Sequence, residues 1–255
     1  HSGALARSVG DLAIAYDAMQ GFDAEDPVQA WRPVEPVAQI LRDNIDGIRI
    51  AKAGGYFAKG GEADCFSAVD LVAAALGVTH TVELPEAHRA RAAAYIITMS
   101  EGAALHLDRL RKRCGDFDPD VRDRLLAGAM VPGALVSQAQ KFRRWFQASV
   151  AALFSEVDAI IAPATPCRAP RIGQKTMMLD GAEVTVRPNL GIYTQPISFI
   201  GLPVVSVPIW STLAHLPIGV QIIAPPWRED IALKIASALE REGLARAPLA
   251  EFNQT

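Results

Sequence analysis

Cysteine is scarce in this sequence: Cys65, Cys114 and Cys167 are the only three in 255 residues, and no two form a CxxC pair. An odd, scattered set argues against a disulfide framework or a zinc ribbon. It fits reduced thiols in a cytoplasmic protein. Histidine is sparse too, with five residues. His1 is terminal, His80 falls in a strand pattern, His88 and His106 in helical patterns, and His215 in a loop. None stands at metal-ligand spacing from another His, Cys or carboxylate, so no metal is expected. There is no Lys/Arg-rich run. The densest basic stretch, Arg109-Leu110-Arg111-Lys112-Arg113, reads as the solvated end of a helix, and the formal net charge is only -3. Both points argue against a nucleic-acid partner. No apolar run reaches transmembrane length, so no membrane partner is expected. A G-x-S-x-G elbow and a Walker loop are absent, and the Gly-rich loop at Gly54 lacks G-x-G-x-x-G. No cofactor is expected, and that loop reads better as a flexible active-site loop than as a phosphate cradle.

What remains is an ordinary globular composition, 50% hydrophobic and 21% charged, with enough chain for one large α/β domain or two small ones. Ser8 followed by Asp11 resembles a capping box, and Val9, Leu12, Ala13, Tyr16 and Met19 repeat at helical spacing up to Gly21. A short helix fits Val37 to Arg42. Ile48 to Ala51 reads as a strand, the Gly54–Gly61 loop follows, and Cys65, Val69, Val72, Ala73 and Leu76 mark a helix ended by Gly77. With Val78 to Leu84 as a second strand this is a βαβ crossover, whose strands should be parallel neighbours. Helices are expected over Glu86 to about Leu110, Val121 to Met130, and Ala134 to Phe154, as a layer covering a sheet. Asp158 to Pro163 reads as a buried strand. Asp180-Gly181 between Met177–Leu179 and Glu183–Val186 is the strongest hairpin signal. Val204 to Ile209 and Ile218 to Ile223 are strands joined by a loop at Trp210 to His215, and Asp230 to Arg241 closes as an amphipathic helix. No repeat or linker divides the chain. The sequence begins at His1 with no initiator Met and no signal segment, and a helix starts only seven residues in. It reads as starting mid-protein.

Few residues suggest chemistry. Ser100-Glu101 reads more simply as a helix surface than as a nucleophile and its partner. Cys167 has no identifiable base and reads as a buried or loop thiol. One segment stands apart. Tyr193-Thr194-Gln195-Pro196-Ile197-Ser198-Phe199-Ile200-Gly201-Leu202-Pro203 is a polar-aromatic loop feeding directly into a central strand. Pockets of open α/β sheets form at such strand ends. Tyr193, Thr194 and Gln195 offer donors, acceptors and an aromatic face together. They either line a site or merely satisfy a tight turn.

Three stretches, in order, carry a resemblance. Gly3-Ala4-Leu5-Ala6-Arg7-Ser8-Val9-Gly10-Asp11-Leu12-Ala13 is similar to G-P-x-A-R-S-V-x-D-x-A, with Ala4 where Pro is usual, and Ala24-Glu25-Asp26-Pro27 follows it. Asp158-Ala159-Ile160-Ile161-Ala162-Pro163-Ala164-Thr165-Pro166, with Ala169-Pro170-Arg171-Ile172-Gly173, is similar to D-x-L-L-x-P-T-x-P…A-P-x-I-G. Gly201-Leu202-Pro203-Val204-Val205-Ser206-Val207-Pro208, then Leu216-Pro217-Ile218-Gly219-Val220-Gln221-Ile222-Ile223-Ala224-Pro225-Pro226, is similar to G-L-P-A-x-S-V-P…L-P-x-G-x-Q-x-x-G-P-P. In that stretch Ala224 replaces the usual Gly and Ser198 a common Asn. Together these resemble the C-terminal part of the amidase-signature family. Ala15-Tyr16-Asp17-Ala18-Met19-Gln20-Gly21 and Tyr193–Phe199 resemble its carboxybiuret hydrolase branch.

The resemblance implies an α/β fold, a mixed central β-sheet covered by helices, incomplete in this chain, with residues 1–255 forming the C-terminal part of a single domain. It implies an amidohydrolase cleaving a carbon–nitrogen bond of a small amide or urea-like substrate through a Ser, a second Ser on a cis peptide, and a Lys. The family's Gly/Ser-rich signature is absent here, and Lys52, Lys59, Lys112, Lys141, Lys175 and Lys234 lie in no matching context. No catalytic residue is therefore assigned, and the triad is expected upstream, leaving this chain inactive alone. Tyr193, Thr194 and Gln195 are implied to lie near the substrate, with Tyr56 capping it from the Gly-rich loop. The implied partners are the amide substrate, the missing N-terminal part, a second copy in a homodimer and, in the carboxybiuret-like branch, a small helical subunit. The competing expectation is a non-catalytic binding or scaffold subunit that kept the fold without the triad. An open sheet edge and an uncovered apolar face should follow from the truncation.

Overall fold

A computed structural model describes residues 3–210 and 215–249. The chain forms helices α1 (Val9–Met19), α2 (Ala63–Ala75), α3 (Ala87–Arg113), α4 (Pro119–Ala129), α5 (Gly133–Leu153), α6 (Val186–Asn189), α7 (Gln195–Ser198) and α8 (Glu229–Arg241). Its strands are β1 (Ile50–Ala53), β2 (Thr81–Val82), β3 (Ala159–Pro163), β4 (Thr176–Leu179), β5 (Ala182–Thr185), β6 (Val204–Ile209) and β7 (Ile218–Ile223). Five of these make one sheet in the order β2-β1-β3-β7-β6. β3 is buried along its whole length and occupies the centre, as expected of the Ala159-Ile160-Ile161-Ala162 run. β1 runs parallel to β2 and to β3, so the β1–α2–β2 segment is the expected crossover. β7 runs antiparallel to β3 and to β6, which makes the sheet mixed.

The local signals explain most elements. The Ser8 hydroxyl accepts the Asp11 N–H at 3.0 Å and opens α1. Asp17, on that helix, accepts the N–H groups of Val37 and Ala38 at 2.8 and 3.0 Å and so starts the short 3-10 turn Ala38–Ile40. Val9 N–H donates to Glu240 at 3.0 Å, docking α1 on α8. Asp180 and Gly181 both take left-handed backbone angles, φ 52° and 76°, as a two-residue β4–β5 hairpin turn requires.

Three boundaries differ from the sequence pattern. The first strand starts at Ile50 rather than Ile48, because Ile48 N–H closes a turn on Ile45 and Arg49 N–H donates to the Asp158 carboxylate. The second shrinks to Thr81–Val82, because Val78 N–H still caps α2 through the Ala73 carbonyl. Val186, read as strand, opens the turn α6 instead. The expected connection 210–215 falls partly outside the described residues, as does His1.

Helices α3, α4 and α5 pack on one another, while α2 covers β3 and β7, and α8 covers β6 and β7. One continuous core runs through these layers. A small separate cluster of Cys167, Met177, Leu179 and Val186 lies under the hairpin. The outer sides of α1 and of the segment after it remain apolar: Ile14, Phe22 and Trp31 are exposed, and so is Val204 on edge strand β6.

The α3–α4 contact depends on one glycine. A Cβ built on Gly128 would lie 2.1 Å from the Met99 carbonyl oxygen, which is backbone and cannot swing away. In an open helix Gly→Ala stabilises by up to about 1 kcal/mol. Here Gly128→Ala should instead cost about 1–3 kcal/mol through overpacking, read as a lowered Tm in thermal denaturation. An unchanged or raised Tm would show that the helices part easily.

Candidate functional site

The loop between α6 and β6 is held from three sides. From the sheet, the Gln221 amide nitrogen in β7 donates to the carbonyls of Pro163 and Tyr193 at 2.8 and 3.0 Å. From the Gly-rich loop, the Tyr56 hydroxyl donates to the Ile192 carbonyl at 2.9 Å, and the Tyr193 hydroxyl reaches back to the Lys59 carbonyl. The Tyr56 and Tyr193 rings meet edge to face, with centroids 6.3 Å apart. The loop glycines have a steric reason here: a Cβ on Gly61 would fall 2.7 Å from both Cys65 Sγ and the Tyr193 hydroxyl. From the helical layer, Arg91 Nε donates to Gln195 Oε1 at 2.9 Å, and Arg91 also holds Pro188 O and Asn189 Oδ1 at 2.9 and 3.1 Å.

The four residues singled out in the sequence therefore form one cluster, in different roles. Tyr193 is fully buried and spends its hydroxyl inside the fold. Tyr56 is half-buried on the 3-10 turn Gly55–Ala58, its hydroxyl likewise bound to backbone. Thr194 is half-buried and lines a groove of about 580 Å³ that runs beside β6 to Tyr16 of α1 and Leu233 of α8. Gln195 is half-buried, and Arg91 fixes its amide so that Nε2 is the atom left for another partner.

Sequence reasoning passed over the cations. Arg91 and Arg124 both lie over the Tyr95 ring, with guanidinium carbons 5.8 and 4.7 Å from its centroid. The Tyr95 hydroxyl also reaches toward Pro188 O at 3.4 Å. Neither arginine has a carboxylate partner among the described residues, unlike Arg187, which pairs with Asp118 and Asp120 nearby. The one available signal was the i,i+4 spacing of Arg91 and Tyr95 on α3. Nothing in the sequence pattern brings Arg124 to them.

Titration separates the groups that react from those that do not. Burial pushes the Cys65 thiol up to about 12, aided by the nearby Glu62, and burial also raises Cys167, which faces the Met177 sulfur at 3.6 Å. Burial raises Tyr56 as well, opposed by the positive charge of Arg91. Burial thus disfavours the thiolate at both positions, which counts against Cys167 as a nucleophile. Among the described residues no group of three or more His, Cys, Asp or Glu could hold a metal ion.

A family model for amidases matches residues 1–233. This chain belongs to the amidase family. It is 44% identical over 247 residues to the 1-carboxybiuret hydrolase subunit AtzE of Pseudomonas sp. (strain ADP), a match covering 96% of this chain and 54% of that protein. One glutamyl-tRNA(Gln) amidotransferase subunit, from Akkermansia muciniphila, is 32% identical over 268 residues, covering 93% of this chain and 56% of that one. A solved structure from a vestigial protein complex that reveals the origins of an s-triazine catabolic enzyme, with inhibitor bound, superposes with TM-score 0.94 at 44% identity. It covers 97% of this chain and 54% of its own. The 6-aminohexanoate cyclic dimer hydrolase shares the fold, with TM-score 0.77 at 24% identity, over 93% of this chain and 53% of its own. The amidase chain described here spans about half the length of the relatives it matches. Among the described residues no helix is long and apolar enough to cross a membrane.

The raised thiol gives a direct test. The Cys65 acid form is favoured in the fold, so thiolate appears only as pH climbs toward 12. Native protein should show no Cys65 alkylation by iodoacetamide between pH 7 and 9, while unfolded protein reacts across that range, read by peptide mass spectrometry. Rapid native labelling at pH 8 would contradict the burial.

Proposed function

We propose that this amidase chain is one wall of an amide-hydrolysing cleft and the C-terminal part of a single domain. The nucleophilic serine, the bridging serine and the lysine come from the part of the protein it does not span. The substrate class is a small amide or urea-like molecule that carries a carboxylate. The observation that carries this reading is the pair Arg91 and Arg124 over the Tyr95 ring, bound only to neutral groups among the described residues, with Arg91 adjoining Gln195. Arg91 is half-buried and Arg124 exposed; guanidinium groups without a counter-charge complement a carboxylate, which they can hold through charge-assisted N–H bonds. A carboxybiuret, the substrate class in the name of the 44% identical relative, is such a molecule.

In this reading the arginines fix the acid end of the substrate. Thr194 and the Nε2 of Gln195 border its amide, and the aromatic pair Tyr56–Tyr193 keeps the supporting loop rigid. Orientation is the contribution of this wall: it holds the carbonyl carbon where an external serine can attack. The carbon–nitrogen bond then breaks with release of ammonia or an amine, and water frees the acid from the acyl-serine.

In the complete enzyme, Arg91→Met and Arg124→Met should each raise KM for a carboxylate-bearing amide about 10–100-fold, through loss of a charge-assisted contact worth about 1.5–3 kcal/mol. An uncharged amide of the same size should be turned over unchanged by Arg124→Met and should lose less than the carboxylate-bearing amide with Arg91→Met, which also releases Gln195. Steady-state kinetics on both substrates decides. Equal losses on the two would remove the carboxylate reading. Failure of the complete protein to hydrolyse any amide would favour a scaffold subunit.

A further inference from the structure

The β4–β5 hairpin ends beside the helix that carries Arg124. Val186 N–H donates to the Lys175 carbonyl at 2.9 Å, one step past the Thr176–Thr185 pair, so Lys175 and Arg187 leave the open end of the hairpin together. Both cations meet one carboxylate of α4. Asp120 Oδ2 lies 3.3 Å from Arg187 Nη1 and 3.7 Å from Lys175 Nζ. The same Arg187 nitrogen lies 3.6 Å from Oδ1 of Asp118, which caps α4 by accepting the Asp120 N–H at 2.9 Å.

Asp120 has a second candidate partner. Arg124 follows it by four residues on α4, one turn along the same face, and an acid N-terminal to a base at that spacing is the favoured order. Long helical side chains also lean toward the N-terminus of their own helix, which for Arg124 is toward Asp120. The pair is nonetheless not made. Arg124 has no ion pair among the described residues, and its guanidinium carbon sits 4.7 Å from the Tyr95 ring centroid. Arg187, Lys175 and Arg124 thus compete for one carboxylate. All three are exposed, so each pair is weak and the number of cations on each side sets the balance. Two stand on the hairpin side and one on the other.

We propose that Arg187, seconded by Lys175, is a positioning residue for the carboxylate end of the site: it occupies Asp120 and so keeps the Arg124 guanidinium free for the substrate. Without these cations Asp120 turns to Arg124 and stands in for the substrate carboxylate from within the chain. The inference rests on the reading that Arg91 and Arg124 receive an acid group, and it adds what keeps the second of them available. It also gives the hairpin a task, as the brace that neutralises an acid next to a cationic site.

The test uses the complete enzyme carrying Arg187→Gln together with Lys175→Gln, two exposed positions whose change removes both cations. An exposed i,i+4 pair is formed about half to two-thirds of the time, so KM for a carboxylate-bearing amide should rise about two- to threefold at unchanged kcat. An uncharged amide of the same size should keep its KM. Adding Asp120→Asn should return KM for the charged amide to its starting value, because the competing carboxylate is gone. Arg187 also precedes Pro188 and Asn189, whose oxygens accept from Arg91, and Asp120→Asn would not repair a displacement of that turn. The proposal is overturned by an unchanged KM, by a rise that survives Asp120→Asn, or by an equal rise on the uncharged amide. Arg124→Met, assayed alongside, separates this failure from that of the underlying reading. If it still discriminates between the two amides, only the role of Arg187 is lost; if it does not, the carboxylate reading falls and this inference with it.

Discussion

One buried carboxamide joins the sheet of this protein to its candidate site. Gln221 sits in β7 between the central strand β3 and the edge strand β6, and its amide nitrogen bonds one carbonyl at the end of β3 and one in the loop that carries Thr194 and Gln195. A buried amide must satisfy its hydrogens, so those two carbonyls cannot drift apart without leaving polar groups unpaired. The position of Tyr193 follows, and through it the contacts to Tyr56, Lys59 and Cys65. The loop is therefore held in place by the core.

That asymmetry fits one half of a cleft. Inside, burial raises the pKa of the Tyr193 hydroxyl and of the Cys65 and Cys167 thiols, and to a lesser depth that of half-buried Tyr56. Toward the surface, the groups left with unused capacity are cationic or amide-like: Arg91, Arg124 and Gln195. Such groups suit the binding and orienting role proposed above. Exposed Met19 of α1 and Val204 of β6 line the groove that Thr194 borders.

Much of this was legible in the sequence where a single local rule decides the outcome. The Ser8 cap, the Asp180-Gly181 turn, the βαβ crossover and the buried β3 run all appear where their residues demand. Boundaries slipped where a long-range contact overrides propensity. Asp158 takes the N–H of Arg49 across more than one hundred residues, and no window of sequence contains both. The Tyr193–Gln195 segment stood out because polar and aromatic groups meet two prolines there, and the fold buries Tyr193 while leaving Thr194 and Gln195 half-buried. Arg91, Arg124 and Gln221 were missed for a common reason. A lone arginine on a helix reads as solvated and a lone glutamine in a strand as ordinary, and only tertiary packing shows which of them lacks a partner.

The most direct test of this account is Gln221→Leu, which keeps side-chain bulk and deletes both amide bonds. Hydrogen exchange by mass spectrometry should show residues 191–198 losing about 2–4 kcal/mol of protection, one share for each carbonyl left unsatisfied, while β3 and β7 stay protected. Unchanged protection across 191–198, or equal loss over the whole sheet, would show that the loop does not depend on this residue.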